Sequence, residues 1–181
     1  MERQARGFTL VEALVTLTVL GTLLALGAPS FAELVDEMRL QAVSNDLFQQ
    51  LMLARSEAIK RNGRVALCKS ADGEQCTEAG PWEQGWIVFH DRNNSGTREP
   101  EEAILQRLRP LPPGWRVASN GPVTHYVSYG PMGGARLVSG AFQAGTFTVC
   151  RASAVAVPAR RIIINAGGRP RVQKLALESC S

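Results

Sequence analysis

The sequence predicts an α+β protein in which one long N-terminal helix packs against a head of antiparallel β-strands. Three observations predict this class. Residues 13–31 form an uncharged, mainly apolar run. A helical stripe of apolar and small residues follows it. Beyond Arg64 the chain changes to short β-rich runs separated by Gly and Pro.

Composition and charge place the chain among globular proteins with one unusual segment. Of its 181 residues, 45% are hydrophobic and 20% are charged, so extensive disorder is not expected. Residues 1–150 hold 14 Lys/Arg against 15 Asp/Glu, whereas residues 151–181 hold six basic residues against one acidic residue. The net +5 of this last segment bears on the partners of the protein rather than on its fold, with a solvated surface whose charge serves solubility as the alternative.

The N-terminal apolar run has the length of a membrane span. Its nineteen residues approach the about 20 that cross a bilayer as a helix. Arg3 and Arg6 precede it and three acidic residues follow it, which predicts a span over residues 8–31 with the N-terminus in the cytoplasm and the rest of the chain outside. Glu12 lies inside this span. Ionisable groups in a membrane are candidates for function and need a partner.

The residues Gly7-Phe8-Thr9-Leu10-Val11-Glu12 resemble the prepilin signature of type IV pilins and type II secretion pseudopilins. The resemblance implies that a prepilin peptidase removes a leader of residues 1–7 by cutting after Gly7 and methylates Phe8. It also implies that Glu12 recognises the N-terminal amine of a neighbouring subunit in the fibre. Because a buried unpaired carboxylate is costly, such a pair would check the register of the subunits.

The helix is predicted from Phe8 to Arg61, where Asn62-Gly63 provides a stop signal. Its amphipathic half covers residues 32–62, and the head covers residues 63–181. The stripe that should face the head consists of Leu40, Val43, Leu47, Leu51, Ala54 and Ala58.

Eight β-rich runs predict the strands of the head. They are Val65–Cys68, Gly85–His90, Ala103–Leu108, Trp115–Ser119, Tyr126–Tyr129, Ala135–Val138, Thr146–Arg151 and Arg160–Asn165. The layout resembles minor pilins and pseudopilins of the FimT/GspH type. Beyond the leader, the resemblance rests on residues 54–58, 85–94 and 167–171.

Four cysteines after an N-terminal apolar segment indicate an oxidising compartment. Pairing in chain order gives Cys68–Cys76 and Cys150–Cys180, and the sequence leaves the other pairings open. No CxxC spacing exists and neither histidine is near a cysteine, so no metal site or cofactor is predicted.

Residues 91–102 match the pattern of a calcium-binding loop, with Asp91 first and Glu102 twelfth. The loop joins two predicted strands rather than two helices, and Arg98 opposes a cation. We therefore interpret it as a polar hairpin loop whose side chains bond the backbone. No motif in the chain supports catalysis, and we expect a protein that is not an enzyme.

The C-terminal segment carries the main functional hypothesis. The motif Gly168-Arg169-Pro170-Arg171 resembles the tail motif of the DNA-binding, FimT-type minor pilins of natural transformation. The resemblance implies that Arg169 and Arg171 contact DNA. Charge clustering adds Lys174, Arg160 and Arg161 as further contacts. Since residues 151–181 contain no aromatic residue, binding should depend on phosphate contacts and not on sequence.

The sequence thus predicts a minor pilin that binds extracellular DNA for uptake. Its expected partners are DNA, other pilin subunits, the prepilin peptidase and the inner membrane before assembly. The alternative is a structural minor pilin or a secretion pseudopilin that primes fibre assembly without binding DNA. The sequence is compatible with both.

Overall fold

The computed structural model describes residues 9–180, apart from the side chains of residues 26, 27, 29 and 30. Helix α1 covers Leu10–Arg61, and the described strand pairs after it are all antiparallel, which confirms the α+β class. The strands are β1 (Val65–Lys69), β2 (Trp86–Phe89), β3 (Ile104–Leu108), β4 (Trp115–Ser119), β5 (Tyr126–Tyr129), β6 (Gly145–Arg151), β7 (Val157–Ile164) and β8 (Pro170–Leu177).

The strands form two sheets of four strands each. Sheet A has the order β3-β2-β1-β5, and sheet B has the order β4-β6-β7-β8. Strand β8 is therefore an edge strand of sheet B. This position suits a strand that begins with Pro170, because proline has no amide hydrogen to donate to a second neighbour.

The described chain divides into two compact units, one ending at Arg39 and one beginning at Leu40. In the first unit α1 exposes large apolar side chains, among them Leu10, Leu17 and Phe31, each more than half exposed. A membrane span is predicted over residues 8–31, but among the described residues no helix is both long and apolar enough to cross a bilayer.

In the second unit, α1 supplies one side of the hydrophobic core. All six residues of the predicted stripe, from Leu40 to Ala58, are at most 7% exposed, which confirms the helical periodicity. They pack in one cluster with residues of both sheets, such as Leu67 of β1 and Phe147 of β6. The indole of Trp82 meets the Phe147 ring edge-to-face at 5.0 Å between centroids.

The two ends of α1 are set by local hydrogen bonds. Asn62 adopts a positive φ of 48°, and the Gly63 N–H donates to the Ala58 carbonyl oxygen at 3.1 Å. This left-handed ending confirms the predicted stop. The predicted start at Phe8 lies outside the described residues, and the helix begins at Leu10 because Thr9 acts as its N-cap.

Seven of the eight predicted strands are present with small changes of boundary, and one prediction is wrong. Residues 135–138 are not a strand: Ala135 and Arg136 make only isolated bridges. The reason is that successive amides in this segment bond different partners. The Arg136 N–H donates to the Ser128 carbonyl oxygen, whereas the Leu137 N–H donates to that of Ala141.

Two disulfides close the head in chain order. The short bridge joins Cys68 of β1 to Cys76, and the long bridge joins Cys150 of β6 to Cys180. Beside the long bridge, Ser153 and Cys180 exchange two backbone hydrogen bonds of 2.9 and 2.8 Å. The chain that follows β8 is thereby tied to β6.

The loop of residues 91–102 is a polar hairpin loop closed by its own carboxylates. The Asp91 carboxylate is fully buried and accepts the backbone N–H groups of Ser95 and Gly96 at 2.9 and 3.0 Å. The Glu102 carboxylate accepts two further backbone N–H groups of the loop at 2.6 and 3.1 Å. The carboxylates of Asp91 and Glu102 thus bond the backbone of their own loop. The interpretation as a hairpin loop is confirmed.

Candidate nucleic-acid interface

The β7–β8 hairpin holds all the basic residues predicted to contact DNA. Its turn is closed by the Gly168 N–H, which donates to the Asn165 carbonyl oxygen at 2.8 Å. The Asn165 side chain then accepts the Arg169 N–H at 3.3 Å through Oδ1. These two bonds fix the backbone immediately before β8, so Arg169 projects from an ordered turn and is exposed.

A close contact with a neighbouring loop also fixes the position of the turn. Gly168 is buried, has a φ of 73°, and packs against the backbone of residues 133–135. That loop is tied to α1, because the Arg55 Nε–H donates to the Gly133 carbonyl oxygen at 2.9 Å. Gly168 thus has a packing reason to be glycine, because a residue without a side chain lets the turn approach the loop; its predicted part in DNA binding stays a prediction.

Strand register decides which basic residues share a surface. In sheet B, Arg161 pairs with Thr148 of β6 and with Gln173 of β8, while Arg171 pairs with Ile163. Paired residues of antiparallel strands point to the same face, and residues two apart along a strand do so as well. Arg161 and Arg171 therefore lie together on one face of sheet B, which we call the outer face.

The opposite face of sheet B is directed toward the core. Arg160 pairs with Val149 and with Lys174, and both Val149 and Arg160 are buried, at 0% and 5% exposure. Lys174 is exposed because it lies on the edge strand. The basic residues that cluster in the sequence are thus divided between two faces, and the expectation of one joint patch needs correction. Arg160 and Arg161 are neighbours in a strand and must point in opposite directions.

Three arginines of the hairpin have no acidic partner within the described chain. The side chains of Arg161, Arg169 and Arg171 make no ion pair with any residue of the described range. Other arginines do: Arg107 pairs with Glu74 at 2.9 Å on sheet A. Unpaired guanidinium groups on an exposed face can each bind a phosphate through two N–H groups.

Sequence reasoning missed the polar residues that adjoin Arg161. A groove of about 400 Å³ crosses the outer face between β7 and the end of β4, and Thr146, Thr148 and Asn120 line it. The sequence does contain a signal for Thr146 and Thr148. In Thr146-Phe147-Thr148-Val149 polar and apolar residues alternate, which is typical of a strand with one face in the core and one in solvent.

The residues predicted for processing and assembly lie at the start of α1. Gly7 and Phe8 are outside the described residues. Glu12 is exposed and forms a capping box with Thr9: its Oε2 accepts the Thr9 N–H and Oγ1–H, both at 3.0 Å, and the Glu12 N–H donates to Thr9 Oγ1 at 3.3 Å. In the single chain this carboxylate therefore stabilises its own helix end.

Comparisons with known proteins agree with this architecture. A family model described as type II transport protein GspH matches residues 43–168, and a model described as prokaryotic N-terminal methylation motif matches residues 3–28. A helix with this motif, packed on antiparallel sheets, is the architecture of a pilin or pseudopilin. The chain belongs to the GspH family. This membership implies association with other pilins in a fibre.

Individual relatives give the same picture. The chain is 35% identical over 97 residues to the pilin-like protein PilA1 of Thermus thermophilus, a match that covers 54% of this chain and 55% of that protein. The chain thus spans about half the length of this curated relative. Two crystal structures of the type IV minor pilin FimU of Pseudomonas aeruginosa share the fold. Their TM-scores are 0.57 and 0.60 at 20% and 19% identity, covering 78% and 82% of this chain and 100% and 99% of FimU.

Proposed function

We propose that this minor pilin binds extracellular DNA, without sequence preference, for uptake in natural transformation. The observation that carries the proposal is the exposed hairpin at the edge of sheet B. It presents Arg169 and Arg171, together with Arg161 of the outer face, without any ion pair to the described chain. The turn between the strands is fixed by its own hydrogen bonds and by the packing of Gly168, so the backbone that carries the arginines needs little ordering when DNA binds.

The residue types favour phosphate contacts over base contacts. Guanidinium groups bind phosphate oxygens bidentately, and residues 151–181 contain no aromatic ring on which a base could stack. Binding of this kind releases counterions and weakens steeply as salt rises. It accepts any sequence, which suits a receptor for DNA of any origin.

The face of sheet B on which each remaining residue lies decides the contribution to DNA binding that we expect from it. Arg161 shares the face of Arg171 and belongs to the proposed interface. Lys174 lies on the other face of the edge strand, so we expect a smaller contribution from it. Arg160 is 5% exposed and is left out of the interface.

The test is a salt titration of DNA affinity with the full-length protein in a neutral detergent. Fluorescence anisotropy with a labelled DNA duplex would be measured at several salt concentrations. The double variant Arg169→Ala/Arg171→Ala should lose most of the affinity, and its slope of log K against log salt should flatten by about 1.8, since each phosphate contact contributes about 0.9.

The matched control is Arg92→Ala/Arg109→Ala. Both arginines are exposed in loops beside sheet A, and their loss changes the net charge by the same amount. The control should retain nearly all of the affinity and the full slope. Equal losses in both double variants would show a general charge effect and reject the hairpin as the site, and unchanged affinity in the first variant would reject the DNA receptor.

The N-terminal segment supports a proposal on processing and location. We propose that prepilin peptidase cuts after Gly7 and methylates Phe8, and that Glu12 then pairs with the amine of a neighbouring subunit. The subunit would wait in the inner membrane, with the N-terminus cytoplasmic and the head periplasmic, before it enters the fibre. The match to the N-terminal methylation motif supports this order. Mass spectrometry of the mature protein should find a methylated Phe8 as the first residue, and a mature protein beginning at Met1 would refute it.

A structural role is the second candidate, and the family match favours it. The model that covers residues 43–168 is described as a type II transport protein, and a secretion pseudopilus needs no DNA receptor. In that case the basic hairpin would contact a sibling subunit. Deletion of the gene should then abolish fibre assembly, whereas a DNA receptor predicts assembled fibres on cells that no longer take up DNA.

A further inference from the structure

The groove on the outer face of sheet B is built from hydrogen-bonding side chains around one cation. Its volume is about 400 Å³, and Arg161 shares it with Thr146, Thr148 and Asn120. Ala118 and Ile163 supply the apolar parts of its lining. None of the described residues that line it is acidic or aromatic.

The polar groups of the groove are available as donors. The hydroxyl groups of Thr146 and Thr148 have no hydrogen-bond partner among the described residues, and neither has the Arg161 guanidinium group. Asn120 accepts the Thr146 N–H at 2.9 Å through Oδ1, and its Nδ2 amide group makes no hydrogen bond to the described residues. The groove therefore offers a cation and three neutral donor groups to a ligand that accepts hydrogen bonds.

The groove continues directly from the basic hairpin. Thr148, Arg161 and Gln173 form one row across β6, β7 and β8, and Thr146, Ile163 and Arg171 form the next row. Arg161 and Arg171 are thus diagonal neighbours, which places their backbones about 7 to 8 Å apart. At this spacing the two arginines can reach separate phosphates of one strand.

We propose that this groove binds the phosphodiester backbone of DNA, so that the interface extends from the β7–β8 hairpin across β6 to the end of β4. The proposal rests on the proposed DNA-binding function and adds a subsite of neutral donors outside the basic tail. Charge complementarity identifies the ligand as a polyanion. The absence of an aromatic ring among the described lining residues identifies the recognised part as backbone and not base.

The experiment compares charged and neutral variants of the full-length protein in neutral detergent. The double variant Thr146→Val/Thr148→Val keeps the shape and the net charge but removes both hydroxyl groups. It should bind a DNA duplex about five- to tenfold more weakly, because two hydrogen bonds are lost and each contributes only modestly net of the bond to water that it replaces. The slope of log K against log salt should not change, since no counterion-releasing cation is lost.

Three further variants complete the test. Thr146→Ser/Thr148→Ser keeps the hydroxyl groups and should bind within about twofold of the original protein. Arg161→Gln should lower the affinity and flatten the slope by about 0.9. Lys174→Gln removes the same charge from the opposite face, and its effects on affinity and slope should both be smaller. Thermal unfolding of each variant checks that the fold is retained.

The outcomes separate this proposal from the one on which it rests. Normal DNA affinity of the valine variant, with lost affinity in Arg169→Ala/Arg171→Ala, overturns the groove and leaves the receptor function intact. An equal loss in the serine and valine variants also overturns it, because the hydroxyl groups would not be responsible. If the unsubstituted protein binds no DNA, both proposals fail.

Discussion

A single methyl group added at Gly168 should disturb the hairpin that carries the proposed interface. The residue has a φ of 73°, a conformation that L residues with a side chain rarely adopt. A Cβ built there would collide with the Gly133 carbonyl oxygen and would lie 2.8 Å from the Ala135 nitrogen. Both are backbone atoms, so no flexible side chain can move aside.

The magnitude follows from these two effects. The left-handed conformation costs about 1–2 kcal/mol for a residue other than glycine. Overpacking against a fixed neighbour costs about 1–3 kcal/mol. Together these two effects lower the free energy of unfolding by about 3 kcal/mol. Part of the strain can be relieved if the loop of residues 133–135 shifts. In a domain of this size such a loss lowers Tm by about 6 to 12 °C.

The assay compares the thermal unfolding of the Gly168→Ala variant with that of a control variant at the neighbouring position, Gly167→Ala. Gly167 is exposed, and a Cβ there would meet nothing nearer than Asn165 Oδ1 at 3.4 Å. Gly167→Ala should therefore change Tm by less than about 2 °C. In the DNA titration, Gly168→Ala should also weaken binding, because Arg169 follows the displaced residue directly.

One result would refute this reasoning. If Gly168→Ala unfolds at the same temperature as Gly167→Ala and binds DNA equally well, the close approach of the turn to residues 133–135 does not position the arginines.

Three other predictions concern the stability of the head, each measured by urea unfolding of the full-length protein. Replacing both cysteines of the long bridge by serine should cost about 4 kcal/mol, and the same change in the short bridge about 2.5 kcal/mol, because the longer loop restricts the unfolded chain more; equal losses would contradict this. Burial raises the pKa of Asp91 above its usual range, so the folded protein binds this proton more tightly than the unfolded chain. Its contribution to stability should be fully present below the unfolded value of about pH 4 and should be lost as the pH rises through the raised value, and across this rise the unfolding free energy should decline less in Asp91→Asn. Arg55→Met removes the donor to the Gly133 carbonyl oxygen and should cost about 1–2 kcal/mol, with Arg55→Lys intermediate.

The long elements of the fold could be predicted because their signals are local. The spacing of Leu40 to Ala58 along α1 identified the buried face, since a helix repeats every 3.6 residues whatever it packs against. Asn62-Gly63 ended the helix through the left-handed conformation that these residues tolerate. Residues 135–138 looked like a strand but are not one, because the partners of their amides lie in two different segments.

The candidate site was only partly predictable for a similar reason. The motif around Arg169 and the charge of the tail marked the right hairpin. Counting charges could not show that Arg160 faces the core while Arg161 faces solvent, since which face is buried depends on the strands to either side. Thr148 was missed because β6 lies beside β7 only in the folded sheet.

The sequence by itself determined the class of this protein, the end of its helix and the chemistry of its tail. These depend on residue type and on short-range periodicity. Tertiary structure decided which arginines share a surface. It also decided that Gly168 packs the turn against residues 133–135 and that a polar groove adjoins Arg161. Side chains alternate between the faces of a strand, so proximity in the chain separates them and only the register of neighbouring strands brings them together.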